Sequence, residues 1–535
     1  MNGAKHRQTS VALIGCGASG MLFLHALATQ RKEQLEKGNE DFVLPRVTCF
    51  ERANEPGGCW RSPPEDEREF PHNLSCWYED VWSNICKEGF EFADYTFQDH
   101  FETEVPTFLP RRILLDYLTK RTLTVDPDLY QLDPTKKPTA DALHEMRFGT
   151  LVTSVSFDAE TNTFRVSSVP FDPTASNAET PTPTVEHFDY CVWAAGIRGK
   201  PRIPRSMLHL FQTGSIFTDP ANDEDMEDGE PAPFTGSILH SIQVSNPQFV
   251  GAVKGKRIML IGDSSSAEDL SLQSLKWGAE KVYVLSRSGY RDCVYMGSWP
   301  GTKKDDGSFE PKVEVFLAMP YRVVGDGSTV MCCPLIWNPE QEMYEFDDEE
   351  DAIVLEKIDT VVFCTGYVPN NDFLSEDLRV EMDSCFWSAP EDFKMKHNAL
   401  TPDLGEVEPN KELSLSGNIV PGIYRTLLMS NPRMMYLMDL NSEVPLLHLE
   451  AMAWLALAFI TKVATVPTEE EMDEEIESQM IDEMNIAYLR WSMDRNYFNA
   501  LDELGDEHWS DDPKDARTVE LNKEITDYYT RIVAR

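Results

Sequence analysis

The sequence predicts an α/β protein built from two dinucleotide-binding, Rossmann-like domains, one inserted in the other, followed by a helical carboxy-terminal extension. Three observations predict it. The apolar run Val11-Ala12-Leu13-Ile14 leads into Gly15-Cys16-Gly17-Ala18-Ser19-Gly20. A second run, Ile258-Met259-Leu260-Ile261, leads into Gly262-Asp263-Ser264-Ser265-Ser266-Ala267. Two later strands end in the glycine turns Ala194-Ala195-Gly196 and Thr365-Gly366-Tyr367, where the chain can cross between domains.

Each glycine-rich finger reads as a buried strand turning sharply into a helix. Glycines let the backbone approach a pyrophosphate, and the helix N-terminus faces its charge. In the first finger these are Gly15, Gly17 and Gly20, with Ala18 and Ser19 between them. The next strand, Arg46-Val47-Thr48-Cys49-Phe50, ends in Glu51. A carboxylate there accepts ribose hydroxyls and repels a 2′-phosphate, so this site reads as FAD or NAD. Glu51 comes later than the usual spacing of about 20 residues, and the polar stretch 30–40 supplies the extra length.

The second finger offers Gly262, Ser264, Ser265 and Ser266. The strand after it, 281–285, ends in Ser286-Arg287-Ser288. A cation and hydroxyls at that point suit a 2′-phosphate, so this site reads as NADP. A chain holding both sites is most simply a flavoenzyme reduced by NADPH.

Composition narrows the class. The 535 residues carry 48 Lys and Arg against 91 Asp and Glu, a net charge of −43. Such a surface repels nucleic acid and anionic membrane, and NADPH must be captured by local cations such as Arg287. The acidic runs 223–228, 347–351 and 469–477 read as solvated loops and helix faces. The eleven cysteines form no CxxC pair, no metal-ligand spacing and no CxxxxC pair near the first finger. They read as reduced thiols in a cytoplasmic compartment, with no metal, and they speak against a disulfide reductase. No signal peptide is expected, because the first apolar stretch is already a strand. The later stretch 451–466 is too short to span a bilayer and contains Lys462, so it reads as a buried helix.

The expected organisation is a first flavin-domain segment over 1–198, an NADP domain over 199–360, a second flavin-domain segment over 361–466 and the extension over 467–535. The runs 148–157 and 163–168 alternate like a hairpin, and Val152 within it joins the cofactor-binding set. A strand is expected over 188–193, an exposed acidic insertion over 219–233, short strands over 289–356 and a strand over 358–364. The amphipathic stretch 472–488 reads as packing or homodimer surface.

These residues resemble the flavin-containing monooxygenases, and among them the bacterial trimethylamine-monooxygenase type, over about 11–467. The most specific stretch is Tyr78-Glu79-Asp80-Val81-Trp82-Ser83-Asn84, continuing through Lys87-Glu88 to Phe97. Gly57-Gly58-Cys59-Trp60 matches the family's GGxW. Phe234-Thr235-Gly236-Ser237-Ile238-Leu239-His240 matches most of its FxGxxxHxxx(F/Y) signature, with Val244 in place of the final aromatic. Ser264 to Asp269 matches its second finger, and Phe363 to Tyr367 its closing turn. A glycine usual near the flavin aligns with Met438, and Asp439-Leu440-Asn441-Ser442-Glu443 replaces a Gln/Trp-containing run.

The resemblance implies FAD and NADPH as cofactors, dioxygen and a soft N- or S-nucleophile as substrates, and a C4a-hydroperoxyflavin shielded from water. It places the flavin-side asparagine on Asn84, the candidate catalytic residue, whose amide can both donate and accept. A turn residue before a helix is the bland alternative for Asn84. Gly58, Trp60 and Trp82 are expected near the flavin, with core packing the equal alternative for the tryptophans. His240 is assigned a structural role at the domain junction. The competing functions are an uncoupled NADPH oxidase, a non-oxygenating nucleotide-binding flavoprotein, and an N-hydroxylating or Baeyer–Villiger monooxygenase.

Overall fold

In a computed structural model of the protein, the structure describes residues 8–39, 42–61, 81–83, 85–130, 142–172, 181–217, 229–245, 247–287, 301–303, 309–338, 343–347, 350–380, 386–388, 412–414, 420, 422–439, 444–476 and 478. The chain divides into two compact units. One comprises Met1–Asp383 with Val420–Pro467, the other Ser384–Ile419 with Thr468–Arg535. In the second unit the described parts are an antiparallel ladder, Phe386–Ser388 against Glu412–Ser414, and a helix over 469–476. The stretch 479–535 lies outside the described residues.

Two large sheets organise the described part of the first unit, with a three-stranded sheet and two short strand pairs beside them. Strands β1 (Ser10–Ile14), β2 (Arg46–Phe50) and β3 (His144–Arg147) pair in parallel. On the far side of β1 the sheet continues through the parallel strands Tyr190–Trp193 and Asn431–Tyr436. Helix α1 (Ala18–Glu36) follows the first finger, and Met21, Leu22, Phe23 and Leu24 are all fully buried. A helix apolar on every side is one packed all round. Here α1 is covered by α2 (Arg111–Val125) and by α3 (Pro445–Ile460).

The second sheet has the same plan. Ile258, Leu260, Val282, Val284 and Val362 face a helical layer containing Phe249, Ala267 and Leu270. The alternate residues Met259, Ile261, Tyr283, Leu285, Val361 and Phe363 face the opposite layer, with Met207, Leu210 and Phe211. Successive residues of a strand point to opposite faces, so these continuous apolar runs mark a sheet covered on both sides. Its central strand, Arg257–Ile261, is flanked in parallel by Lys281–Ser286 and by Thr360–Phe363.

Three expectations are adjusted. The strand expected over 188–193 is two strands in different sheets, Thr184–Phe188 and Tyr190–Trp193. Asp189 breaks them, its Oδ2 accepting both the amide and the hydroxyl of Ser10 at 2.8 Å. In the middle region the expected short strands are present at Gly301–Lys303, Phe309–Pro311, Met343–Phe346 and Ile353–Leu355, and with them stands a long antiparallel ribbon that was not expected, Val313–Val324 against Thr329–Asn338. The apolar helix expected over 451–466 runs from Pro445 to Ile460, with proline in its first turn, where its missing N–H costs nothing. The hairpin of 148–157 and 163–168 is present as Thr150–Asp158 against Thr163–Pro170. Among the described residues no helix is long and apolar enough to cross a membrane.

Candidate nucleotide sites

The two fingers share one geometry. Gly15 has φ +102, and a Cβ on it would stand 2.5 Å from the Ala194 carbonyl oxygen. Gly262 has φ +108, and a Cβ there would stand 2.6 Å from the Cys364 carbonyl oxygen. In each case only glycine lets the finger pass under the neighbouring strand's turn. The following helices begin at Gly17 and at Ser264, and neither N-cap makes a side-chain capping bond. Their first-turn amides are the donors a phosphate would take.

The first site is walled by the turn containing Gly58 and Trp60. The Gly57 amide donates to the Cys16 carbonyl at 2.9 Å, and a Cβ on Gly58 would stand 2.9 Å from Gly17 Cα. The backbone is therefore bare where a pyrophosphate would approach. Trp60 is buried and meets Phe90 edge to face at 5.8 Å. Trp82 is 51% exposed, so it is not a core residue. Ser83 is clamped to the chain ahead of α2. Its amide donates to the Leu109 carbonyl at 2.8 Å, and its Oγ accepts the Leu109 amide at 2.9 Å. Asn84 itself lies outside the described residues.

Glu51 is buried at the end of β2. Its Oε2 accepts the Cys16 amide at 2.7 Å and its Oε1 the Ala53 amide at 2.8 Å. Each carboxylate oxygen has a second lone pair, so both can still accept from a ribose hydroxyl. The donor set therefore fits an FAD-type nucleotide. Val152 is buried two residues beyond Thr150, whose amide donates to the Glu51 carbonyl at 2.9 Å. That brings Val152 to the same end of the first site. The thiol of Cys16 is held well above the usual thiol range by its contact with Cys49 and by burial, so it is a neutral packing group.

At the second site the acid is inside the finger. Ser286, at the end of its strand, donates to Asp263 Oδ2. The carboxylate is thus engaged by Ser286, and Arg287 next along is exposed. Ser264, Ser265 and Ser266 form the N-terminus of the helix Ser265–Lys276 and its cap. Ser288 lies outside the described residues. The Asp263–Ser286 bond was missed in the sequence, although an acid in the finger with a serine closing the next strand was there to be paired.

His240 is 2% exposed. Its Nδ1 accepts the Ile242 amide at 3.1 Å, which leaves Nε2–H to donate to the Gly366 carbonyl at 3.1 Å. Its ring also meets Tyr367 edge to face. Burial depresses the imidazole to about 4, so it is neutral. It ties the second sheet to the returning chain, where Lys200–Pro201 pairs with Tyr367–Val368. Met438 is buried just beyond Asn431–Tyr436, and 440–443 lie outside the described residues.

Residues 8–130 match the family described as flavin-binding monooxygenase-like. The chain is 29% identical over 374 residues to the trimethylamine monooxygenase of Roseovarius nubinhibens, covering 69% of this chain and 64% of that protein. It therefore aligns with slightly less than two thirds of that relative. With the trimethylamine monooxygenase of Methylocella silvestris it shares 25% identity, over 88% of this chain and 78% of the other. Among solved structures, that of Tmm from Pelagibacter sp. strain HTCC7211 has the same fold, with a TM-score of 0.58 at 22% identity, covering 91% and 85% of the two chains.

Proposed function

We propose a function for this chain from the family it belongs to, the flavin-containing monooxygenases: an FAD-dependent, NADPH- and dioxygen-consuming monooxygenase that oxygenates a soft N- or S-nucleophile. The observation that carries it is the pair of fingers with opposite acid placement. Glu51 closes the strand after the first finger and presents its carboxylate there, whereas the strand after the second finger closes on Ser286 and the exposed cation Arg287, with the acid Asp263 inside the finger and bonded by Ser286.

In this reading the first finger, Gly58 and Glu51 hold FAD, and the second finger with Arg287 holds NADPH. Bound there, the flavin would accept hydride from NADPH and pass the electrons to dioxygen. The residues of this chain supply binding, orientation and dryness. The uncapped helix amides neutralise phosphate, and Glu51 fixes the ribose. Trp60 closes one wall with apolar surface and helps keep water out. Asn84, next in sequence to Ser83, offers an amide that can orient reactants at the flavin without taking a proton. The division into 1–198, 199–360, 361–466 and 467–535 belongs to the same proposal. It is supported by the return of the chain to the first sheet at Asn431–Tyr436, with the boundary at 360 moved beyond Phe363, because Thr360–Phe363 completes the second sheet.

The names of the relatives point first to tertiary methylamines. The test is to incubate the FAD-loaded protein with NADPH, air and either trimethylamine or dimethyl sulfide, and to count oxide formed per NADPH consumed. Oxide in near-equal yield supports the proposal. Hydrogen peroxide alone with every nucleophile establishes instead the NADPH oxidase, the reading favoured by the buried Met438 where the family resemblance expects glycine.

A further inference from the structure

Within this strongly acidic chain the crossover between the two large sheets reverses the charge. The crossover Arg198-Gly199-Lys200-Pro201-Arg202-Ile203-Pro204-Arg205 carries four cations and no acid. Lys200 forms an ion pair with Asp372. Arg198, Arg202 and Arg205 lie at the surface.

The backbone ties this crossover to the second finger. The Gly199 amide donates to the Val368 carbonyl at 3.1 Å, and the Arg202 amide donates to the Gly366 carbonyl at 3.0 Å. Thr365 Oγ1 donates to the Arg202 carbonyl. Thr365 directly follows Cys364, whose carbonyl stands against Gly262. Arg202 is therefore one hydrogen-bonded step from the finger, at the end of Thr360–Phe363. Arg287 closes Lys281–Ser286, on the opposite side of the central strand Arg257–Ile261.

In a doubly wound sheet the ligand lies across the carboxyl ends of the strands, at the point where strand order reverses. Here that point lies between Arg257–Ile261 and Thr360–Phe363. A dinucleotide lying there spans the sheet from Arg287 to the crossover. The geometry points to Arg202, with Arg198 beside it, as the cation that binds the pyrophosphate of the pyridine nucleotide from the side opposite Arg287. The inference rests on reading the second finger as a nucleotide site. Its chemistry differs from that of Arg287, because NADPH and NADH share the pyrophosphate and differ only in the 2′-phosphate. In a chain of net charge −43, a cation at this spot also offsets the repulsion the incoming anion meets.

The test is calorimetric titration of the FAD-loaded protein with NADP⁺, NAD⁺ and 2′-AMP, which has the 2′-phosphate but neither phosphate of the pyrophosphate. Arg202→Ala is expected to weaken NADP⁺ and NAD⁺ by a similar factor, on the order of tenfold for one charge-assisted contact. It should leave 2′-AMP nearly unchanged. Arg198→Ala should show the same pattern more weakly, and Arg202→Lys should recover much of the loss. Flavin content and thermal unfolding, measured alongside, exclude general damage. Undiminished NADP⁺ binding in Arg202→Ala overturns the inference, as does an equal loss of 2′-AMP. A wild-type protein that binds 2′-AMP and shows the Arg287 effect, yet gives undiminished NADP⁺ binding in Arg202→Ala, overturns this inference alone. A wild type that binds none of the three overturns the nucleotide-site reading as well.

Discussion

Glu51 and Cys16 are joined across the first finger by a hydrogen bond of 2.7 Å, carboxylate to amide. The residue that would hold the ribose is thus also a structural part of the finger. Glu51→Ala leaves the Cys16 and Ala53 amides without their acceptor, at a cost of about 1–3 kcal/mol for the buried Cys16 amide and less for the half-buried Ala53 amide. The expected outcome is a loss of stability in urea and at least a roughly tenfold weaker hold on FAD. Flavin retained after gel filtration and the urea midpoint check the two effects separately.

Arg287→Ala is expected to raise the dissociation constant for NADPH by roughly tenfold or more, the worth of one charge-assisted hydrogen bond to the 2′-phosphate. NADH should be affected little. Equal weakening of both nucleotides removes Arg287 from the 2′-phosphate. Titration at two salt concentrations adds a check, because an exposed contact is screened.

Gly262→Ala places a methyl group 2.6 Å from the Cys364 carbonyl oxygen, at a φ of +108 that L-residues rarely adopt. The second finger must then shift away from its neighbouring turn. The variant should keep its flavin and lose rapid anaerobic bleaching by NADPH. Flavin loss in this variant, with NADPH reduction intact in reconstituted protein, contradicts the assignment of the two fingers.

His240 gives a pH signature. Burial holds it at about 4 in the folded chain, against 6.5 when exposed. Between those values the unfolded chain takes up a proton that the folded chain refuses, so stability falls as pH drops from 6.5 towards 4. The contribution lost from pH 7 to pH 5 is about 2 kcal/mol. His240→Gln keeps an amide that can donate to the Gly366 carbonyl and accept from Ile242, but cannot titrate. Urea midpoints at the two pH values should therefore differ less in His240→Gln than in the wild type. The same bond fixes the crossover, because the Gly366 carbonyl accepts from both His240 and Arg202.

Much of this was legible in the chain. The apolar runs before Gly15 and Gly262 gave two parallel strands, because strands buried on both faces are written as unbroken apolar sequence. Glu51 was found despite its late position, since the acid closes the next strand whatever the length of the helix between. What escaped depends on partners distant in sequence. Asp189 breaks a strand only because Ser10 lies beside it, 179 residues away. The ribbon 313–338 was unreadable because Pro320 and Pro334 stand inside its two long strands, where proline argues against a strand. Arg202 carried no signal in the sequence, and only the backbone bonds to Thr365 and Gly366 set it beside a finger.

In the proposed reaction two electrons from NADPH, delivered on this one chain, put one atom of dioxygen into an amine or sulfide and the other into water. Single-turnover reaction of the FAD-loaded protein with NADPH, trimethylamine and heavy-isotope dioxygen, followed by mass spectrometry of the amine oxide, tests this directly. Heavy oxygen is expected in the product, in near-equal yield with the NADPH oxidised. Label found only in hydrogen peroxide, with the amine recovered unchanged, contradicts it.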